Sequence, residues 1–272
     1  MQKSTLTRAL VYEGRASLMV LDTTALVAEA ARRHNLNNVS AEALGKVLTC
    51  TAYLAAWLKD EESSLSVSLR GTGEGGRIHA SADGAFRISG YIENPACQGD
   101  PIGDSGVLSI VRDVGVAIPI TGTVPFSTND VEEIFRAYFL QSEQRKTAIA
   151  LRASFGREER AGGIFLQLLP GADGALLRRA EEDAEACRVF LEEEDFVTKT
   201  LGYFSAEGKR TRFGFCCRCS RARAERAVVS LGRAEAERLL AETDAITVHC
   251  DECNTDYIFD KACIGALFKD ET

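Results

Sequence analysis

Histidine is scarce in this chain: only His34, His79 and His249 occur among 272 residues. None sits in a pattern that would support a Ser-His-Asp triad, and there is no H-E-x-x-H and no P-loop. The first domain therefore shows no enzyme signature, and the chain is not expected to be an enzyme. Long apolar runs are also missing; none reaches the roughly 18 residues a membrane helix needs. The start, MQKSTLTRALVYEG, lacks the apolar stretch of a secretory signal, so the expected compartment is the cytoplasm, with no membrane partner. An excess of positive charge is absent too. The net charge of -8 argues against a nucleic acid or an anionic membrane as the main partner.

What remains is an ordinary soluble composition, 45% hydrophobic and 26% charged, enough to bury a real core. The length allows one large domain or two smaller ones. Residues 7–21 read as two short strands around Gly14. Asp22 or Thr23 can cap a helix through TALVAEAARRHN, with Leu26, Val27 and Ala30 on its apolar face. Ser40 followed by Glu42 marks a second, more apolar helix to about Lys59, buried against a sheet; Cys50 falls inside it as a small core residue. SLSVSLRG alternates apolar and serine positions as a half-buried strand does. RIHASADGAFRISGYIENP predicts a hairpin turning at Asp83-Gly84. GVLSIVRDVG and PITGTVPF continue the strand pattern, and DVEEIFRAYFLQSEQ predicts a helix capped by Asp130. TAIALRASFG and GGIFLQLLPG close the sheet. The fold class is α+β: a mixed sheet-and-helix domain over 1–171, a helical linker over 172–210, and a small module over 211–272.

The charge pattern changes in the linker. Residues 181–195 hold eight acidic groups and one arginine, whereas residues 209–226 hold seven basic groups and one glutamate. Each stretch has a plain explanation as a solvated helix face. The alternative is that the acidic linker docks on the basic edge of the module, held by exposed pairs worth about 0–1 kcal/mol each and therefore easily released.

Two motifs carry less than they promise. G-T-G-E-G-G (71–76) formally matches a dinucleotide fingerprint, but that fingerprint needs a following helix, and RIHASADG reads as a strand. G-D-S-G (103–106) has the form of a protease nucleophile loop without the histidine to activate it. Both are expected to be turns.

Nine cysteines in a reducing compartment do not read as a disulfide framework. Four of them stand apart: Cys217 and Cys219 as C-x-C, then Cys250 and Cys253 as C-x-x-C, with 30 residues between the pairs. Thiolates so spaced can close one tetrahedral zinc site and pin two remote stretches together. A module of this size buries little, so metal binding, worth about 10–16 kcal/mol in finger peptides, should carry much of its folding. The site is either a purely structural staple or a switch. A disulfide inside either pair would close a ring over one or two intervening residues and hold nothing across the insert, so it cannot replace the metal. Cys216 and His249 adjoin ligands and are the alternates.

CRCSRARAERAVVSLGRAEAERLLAE followed by ITVHCDECNTDYIFD resembles the zinc module of the heat-shock protein 33 family of redox-regulated holdase chaperones. RGTGEGGRIHASADG, SGYIENP, DVEEIFRAYFLQSEQ and AGGIFLQLLPGA extend the resemblance over nearly the whole chain. It implies an ATP-independent holdase, inactive when reduced and loaded with one Zn2+ per chain. It further implies that Cys217, Cys219, Cys250 and Cys253 are both ligands and sensors. Disulfides Cys217–Cys219 and Cys250–Cys253 would expel zinc and unfold the module and linker, and the protein would then hold unfolding clients as a homodimer. The extra cysteines, chiefly Cys216, depart from the family pattern and bear on which disulfides form. Two other readings use the same residues. One is a zinc-ribbon nucleic-acid binder with 209–226 as its basic surface, against which the acidic total weighs. The other is a thiol–disulfide oxidoreductase using Cys250 and Cys253, which would normally start a helix.

Overall fold

A computed structural model describes residues 3–268 apart from 116 and 157. It divides into two compact units, Met1–Cys216 and Cys217–Thr272.

In the first unit the strand and helix signals appear largely where the periodicity puts them. The elements are β1 (Ser4–Val11), β2 (Ala16–Asp22), α1 (Thr24–His34), α2 (Asn38–Ala55), β3 (Ser64–Gly71), β4 (Arg77–Asp83), β5 (Arg87–Ile92), β6 (Gly106–Asp113) and β7 (Ile120–Phe126). Then follow α3 (Val131–Gln141), β8 (Thr147–Ser154), β9 (Arg160–Leu168), α4 (Gly174–Cys187), a 3-10 turn (Arg188–Glu192), α5 (Phe196–Tyr203) and β10 (Lys209–Phe215). Local chemistry sets the helix starts. Asp22 accepts from the Thr24 amide at 3.1 Å, and Asp130 from the Glu132 amide at 2.9 Å. Helix α2 begins earlier than its sequence suggests: Asn37 caps it by accepting from the Ser40 amide at 2.9 Å. Ser40 is itself buried and donates to the Asn94 carbonyl. The helix stops at Ala55, short of Lys59.

The strands make one ten-stranded sheet in the order β7-β6-β3-β4-β5-β10-β1-β2-β9-β8. Two antiparallel halves meet at β10, which runs antiparallel to β1 and parallel to β5. β10 spans the 210/211 position at which the sequence suggested a boundary, and it belongs to the large sheet. Helix α2 is apolar nearly all round, as a helix buried on every side must be. With α1 and α3 it fills one face of the sheet around Leu44, Val47, Leu48, Phe135, Phe139 and Phe165.

The opposite face differs between the halves. β3 alternates, and its serines face away from the core. β2, β8 and β9 are apolar on both sides, so their second face must also be covered. The segment after β9 provides that cover. Leu176, Ala180, Ala184, Cys187, Leu191, Phe196 and Val197 pack on Ala9, Val11, Leu18, Val20, Ala148, Ala150, Ile164 and Leu166 as a second core. The acidic stretch is therefore an amphipathic cover, with its charges outward and an apolar row inward. Its ion pairs include Arg152–Glu192 at 2.9 Å, Arg188–Glu132 at 2.7 Å and the Lys199–Glu193 contact.

The two misleading motifs explain each other. The loop after β3 and the loop before β6 interlock, with the Gly73 amide donating to the Ile102 carbonyl at 2.9 Å and the Glu74 amide to the Asp100 carbonyl at 2.8 Å. A Cβ on Gly71 would lie 1.9 Å from the Ile102 carbonyl oxygen. The glycines make room for a neighbouring loop, and strand β4 follows them.

The second unit contains α6 (Arg221–Leu231), α7 (Arg233–Glu242), the hairpin β11 (Ala245–Cys250) and β12 (Thr255–Asp260), and α8 (Lys261–Leu267). Gly232, at φ 81°, separates α6 from α7. The core here is small: Ala224, Val228, Ala236, Ile246, Phe259, Ile264 and Phe268. No helix among the described residues is long and apolar enough to cross a membrane.

Candidate metal centre

The four cysteines reach one point from two local structures. Cys217 and Cys219 lie immediately before α6, whose first turn is fixed by Ser220 accepting from the Arg223 amide at 3.2 Å. Such a cap contributes about 1 kcal/mol and sets where the preceding chain must turn. Cys250 ends β11, and Cys253 sits in the turn to β12. That turn is closed by amides of Cys253 and Asn254 donating to the Cys250 carbonyl, with Asn254 left-handed at φ 53°. The C-x-x-C pair thus lies in a hairpin turn, away from any helix start, which removes the geometry an oxidoreductase would use.

All four Sγ atoms lie within 4.8 Å of one another. Contacts join one pair to the other: Cys217 to Cys250 at 3.6 Å and Cys219 to Cys253 at 3.3 Å. A tetrahedron with metal–sulfur bonds of about 2.3 Å has edges of about 3.8 Å, so the separations suit one zinc ion. They are far longer than the about 2.05 Å of a disulfide. Soft thiolates are the donor set zinc prefers, and a four-sulfur site leaves no open coordination position. The donor set and spacing therefore fit the metal.

A surrounding shell of donors supports the sulfurs. Tyr257 donates its hydroxyl to Cys219 Sγ at 3.1 Å, and the Cys219 amide donates to Cys217 Sγ at 3.4 Å. The Cys253 thiol lies 3.2 Å from Thr255 Oγ1, a contact whose direction reverses once the sulfur is a thiolate. Thr255 and Tyr257 share one face of β12, two and four residues after Cys253, so period-two spacing after C-x-x-C could have identified both helpers. Without a metal, burial pushes the Cys217 thiol well up and the Cys250 thiol to about 11. Cys219 is also raised by burial, but the hydrogen bonds from Tyr257 and the neighbouring thiols outweigh this and lower it overall. Four sulfurs cannot all ionise at such short range unaided; a dication provides the missing compensation.

The sequence alternates fall outside this set. His249 pairs across the hairpin with Asp256, Nδ1 to Oδ1 at 2.6 Å. Cys216 is exposed, its amide donating to the Ile88 carbonyl at 2.8 Å just past the end of β10.

A family model described as Hsp33 protein matches residues 4–260. A 33 kDa chaperonin of Bacillus licheniformis is 30% identical, covering 96% of this chain and 98% of its own. Another, of Clostridium perfringens, is 30% identical and covers 98% of this chain and 92% of its own. The crystal structure of the 33 kDa chaperonin, or heat shock protein 33 homolog, of Thermotoga maritima has the same fold, with a TM-score of 0.87 at 24% identity over 98% of each chain. Matched over nearly all its length by the family model and by these relatives, the chain belongs to the Hsp33 family.

Proposed function

We propose that this protein is an ATP-independent holdase chaperone that oxidation switches on. The family and the chaperonin names of its relatives support a chaperone. The observation that carries the switch is that sulfur contacts bridge the two pairs, 217 to 250 at 3.6 Å and 219 to 253 at 3.3 Å. A bound metal would link the start of α6 to the β11–β12 turn, which disulfides within the pairs would leave unconnected. Zinc, when bound, would hold all four sulfurs as thiolates, the form that oxidants attack. Each pair then gives two electrons to one equivalent of peroxide or hypochlorite, forming Cys217–Cys219 and Cys250–Cys253. Sulfurs so paired carry no charge to retain a dication. With only a small apolar core left, the second unit loses most of what folds it.

In this reading residues 1–171 hold the client, 172–210 form a detachable linker, and 211–272 form the redox module, although β10 is already part of the main sheet. The two-sided burial of β2, β8 and β9 supports it. Lifting α4 to α5 bares a continuous apolar face while the core around α2 persists. Unfolding polypeptides are the clients, and the bared face favours a homodimer in the active state.

The test is a titration of the reduced, zinc-loaded protein with hypochlorite, reading metal release and light scattering of a denaturing client together. About one zinc per chain should leave as client aggregation is suppressed. Metal release with no gain in client protection would refute the proposal.

A further inference from the structure

Strand β8 lies at one end of the large sheet, and a strand there presents amides and carbonyls to no neighbour. At Leu151 these groups are taken up by side chains from two other segments. The Leu151 amide donates to Glu132 Oε1 at 2.7 Å, and the Leu151 carbonyl accepts from Arg188 Nη1 at 3.3 Å. Arg188 and Glu132 also engage each other as a fork, Nη1 to Oε1 at 2.7 Å and Nη2 to Oε2 at 2.8 Å. The three residues close a circuit. Glu132 belongs to α3 and its side chain is only 8% exposed, whereas Arg188 opens the 3-10 turn in the segment that covers the second core.

A buried carboxylate needs a compensating charge. If the covering segment lifts, Glu132 loses its guanidinium and the Leu151 carbonyl loses its donor. Staying docked is therefore favoured by more than apolar contact. Five residues earlier Asp183 accepts the hydroxyl of Tyr12 at 2.7 Å, which fastens the same segment at a second point, and that of Tyr203, at 2.7 Å, within the segment itself.

We infer that the Arg188–Glu132–Leu151 circuit is an autoinhibitory latch whose strength sets how readily residues 174–203 leave the sheet. This rests on the proposed role of that segment as the detachable linker. Cys187, adjacent to the latch and fully buried, is a built-in reporter of detachment.

The test uses the full-length, reduced, metal-loaded chain. Glu132→Gln keeps an acceptor for the Leu151 amide and removes the charge that binds Arg188. Arg188→Met removes the guanidinium and keeps the aliphatic stem, and it carries the test should Glu132→Gln not fold. Alkylation of Cys187 is followed by peptide mass spectrometry, with metal content measured alongside. Each variant should label roughly ten- to a hundredfold faster than the parent, at unchanged metal content, the lower figure reflecting the solvent reach of Arg188. The double variant should be no faster than the faster single one, because one interaction is being removed. Labelling within about twofold of the parent in both variants would overturn the latch. The same variants, unoxidised, go into the client-scattering assay. Protection there supports the latch and the holdase reading together. Faster labelling without protection leaves the latch standing and overturns the idea that the bared face holds clients.

Discussion

Tyr257→Phe removes a side-chain hydroxyl that donates to the sulfur cluster at Cys219. The ring stays, half-buried against the small core of the second unit, so packing changes little. The variant loses the 3.1 Å bond to Cys219 Sγ. A hydrogen bond to a charged group contributes about 1.5–3 kcal/mol, and the half-exposed position favours the lower end. Removing a partner that orients a ligand typically weakens a metal site about 10–100-fold, or about 1.4–2.7 kcal/mol. The two routes agree on a loss of about 1.5–2 kcal/mol, equivalent to roughly 10–30-fold in zinc affinity. Competition of the reduced protein against a chromophoric chelator at fixed pH measures this directly. Circular dichroism of the metal-loaded variant should match the parent. An affinity within about twofold of the parent would show that the hydroxyl does nothing for the thiolate, and the supporting shell described above would then be packing alone.

Metal affinity should rise steeply with pH. Because Cys217 and Cys250 have raised values in the metal-free protein, both are protonated at neutral pH and must release protons on binding; affinity should change by at least about two decades per pH unit between pH 6 and 8, measured by competition at several pH values. Phe196→Ala, at a position 2% exposed in the second core, should cost about 3–5 kcal/mol of the cover's stability and speed proteolysis within residues 174–203 before the rest of the unit. Gly71→Ala forces a Cβ to within 1.9 Å of the Ile102 carbonyl oxygen, so the interlocked loops must separate; a loss of about 1–3 kcal/mol in chemical denaturation is expected, with metal stoichiometry unchanged.

Much of this architecture is legible in the sequence, and the parts that are not share a cause. β3 alternates cleanly, so its one-sided burial follows from SLSVSLRG alone. The double-sided runs of β2, β8 and β9 state a need for cover without naming what supplies it. The acidic residues of 181–195 dominate that segment's composition and hide the row formed by Leu176, Ala180, Ala184, Cys187 and Leu191. β10 is hidden in the sequence because a strand carrying Lys209, Arg210 and Arg212 resembles a basic surface; only the non-local pairing with β1 and β5 makes it a sheet centre. The cysteine quartet was readable because its ligand spacing is a local pattern. The Glu132–Arg188 fork was not, since 56 residues separate partners that each look like ordinary surface charges.

In the proposed switch, β10 constrains how an event at the cysteines would reach the covering segment. Along the chain, everything from Cys217 to Phe204 passes through this strand, which sits in the middle of the sheet. Its two sides are unequally secured. Toward β1 it is paired from Lys209 to Phe213, whereas toward β5 the register covers only Gly214↔Arg87 and Phe215↔Ile88, followed by the Cys216 amide on the Ile88 carbonyl. The weak side is the end that adjoins the cysteines. A pull or a loss of order starting at Cys217 meets this short parallel pairing first, and peeling it frees β10 from one half of the sheet before the β1 ladder is touched. Hydrogen exchange on the oxidised protein should therefore show amides 214–216 losing protection before or together with those of 174–203, while the amides that β1 and β2 exchange stay slow. Retained protection at 214–216 alongside an unprotected 174–203 would mean that the strand does not carry the signal.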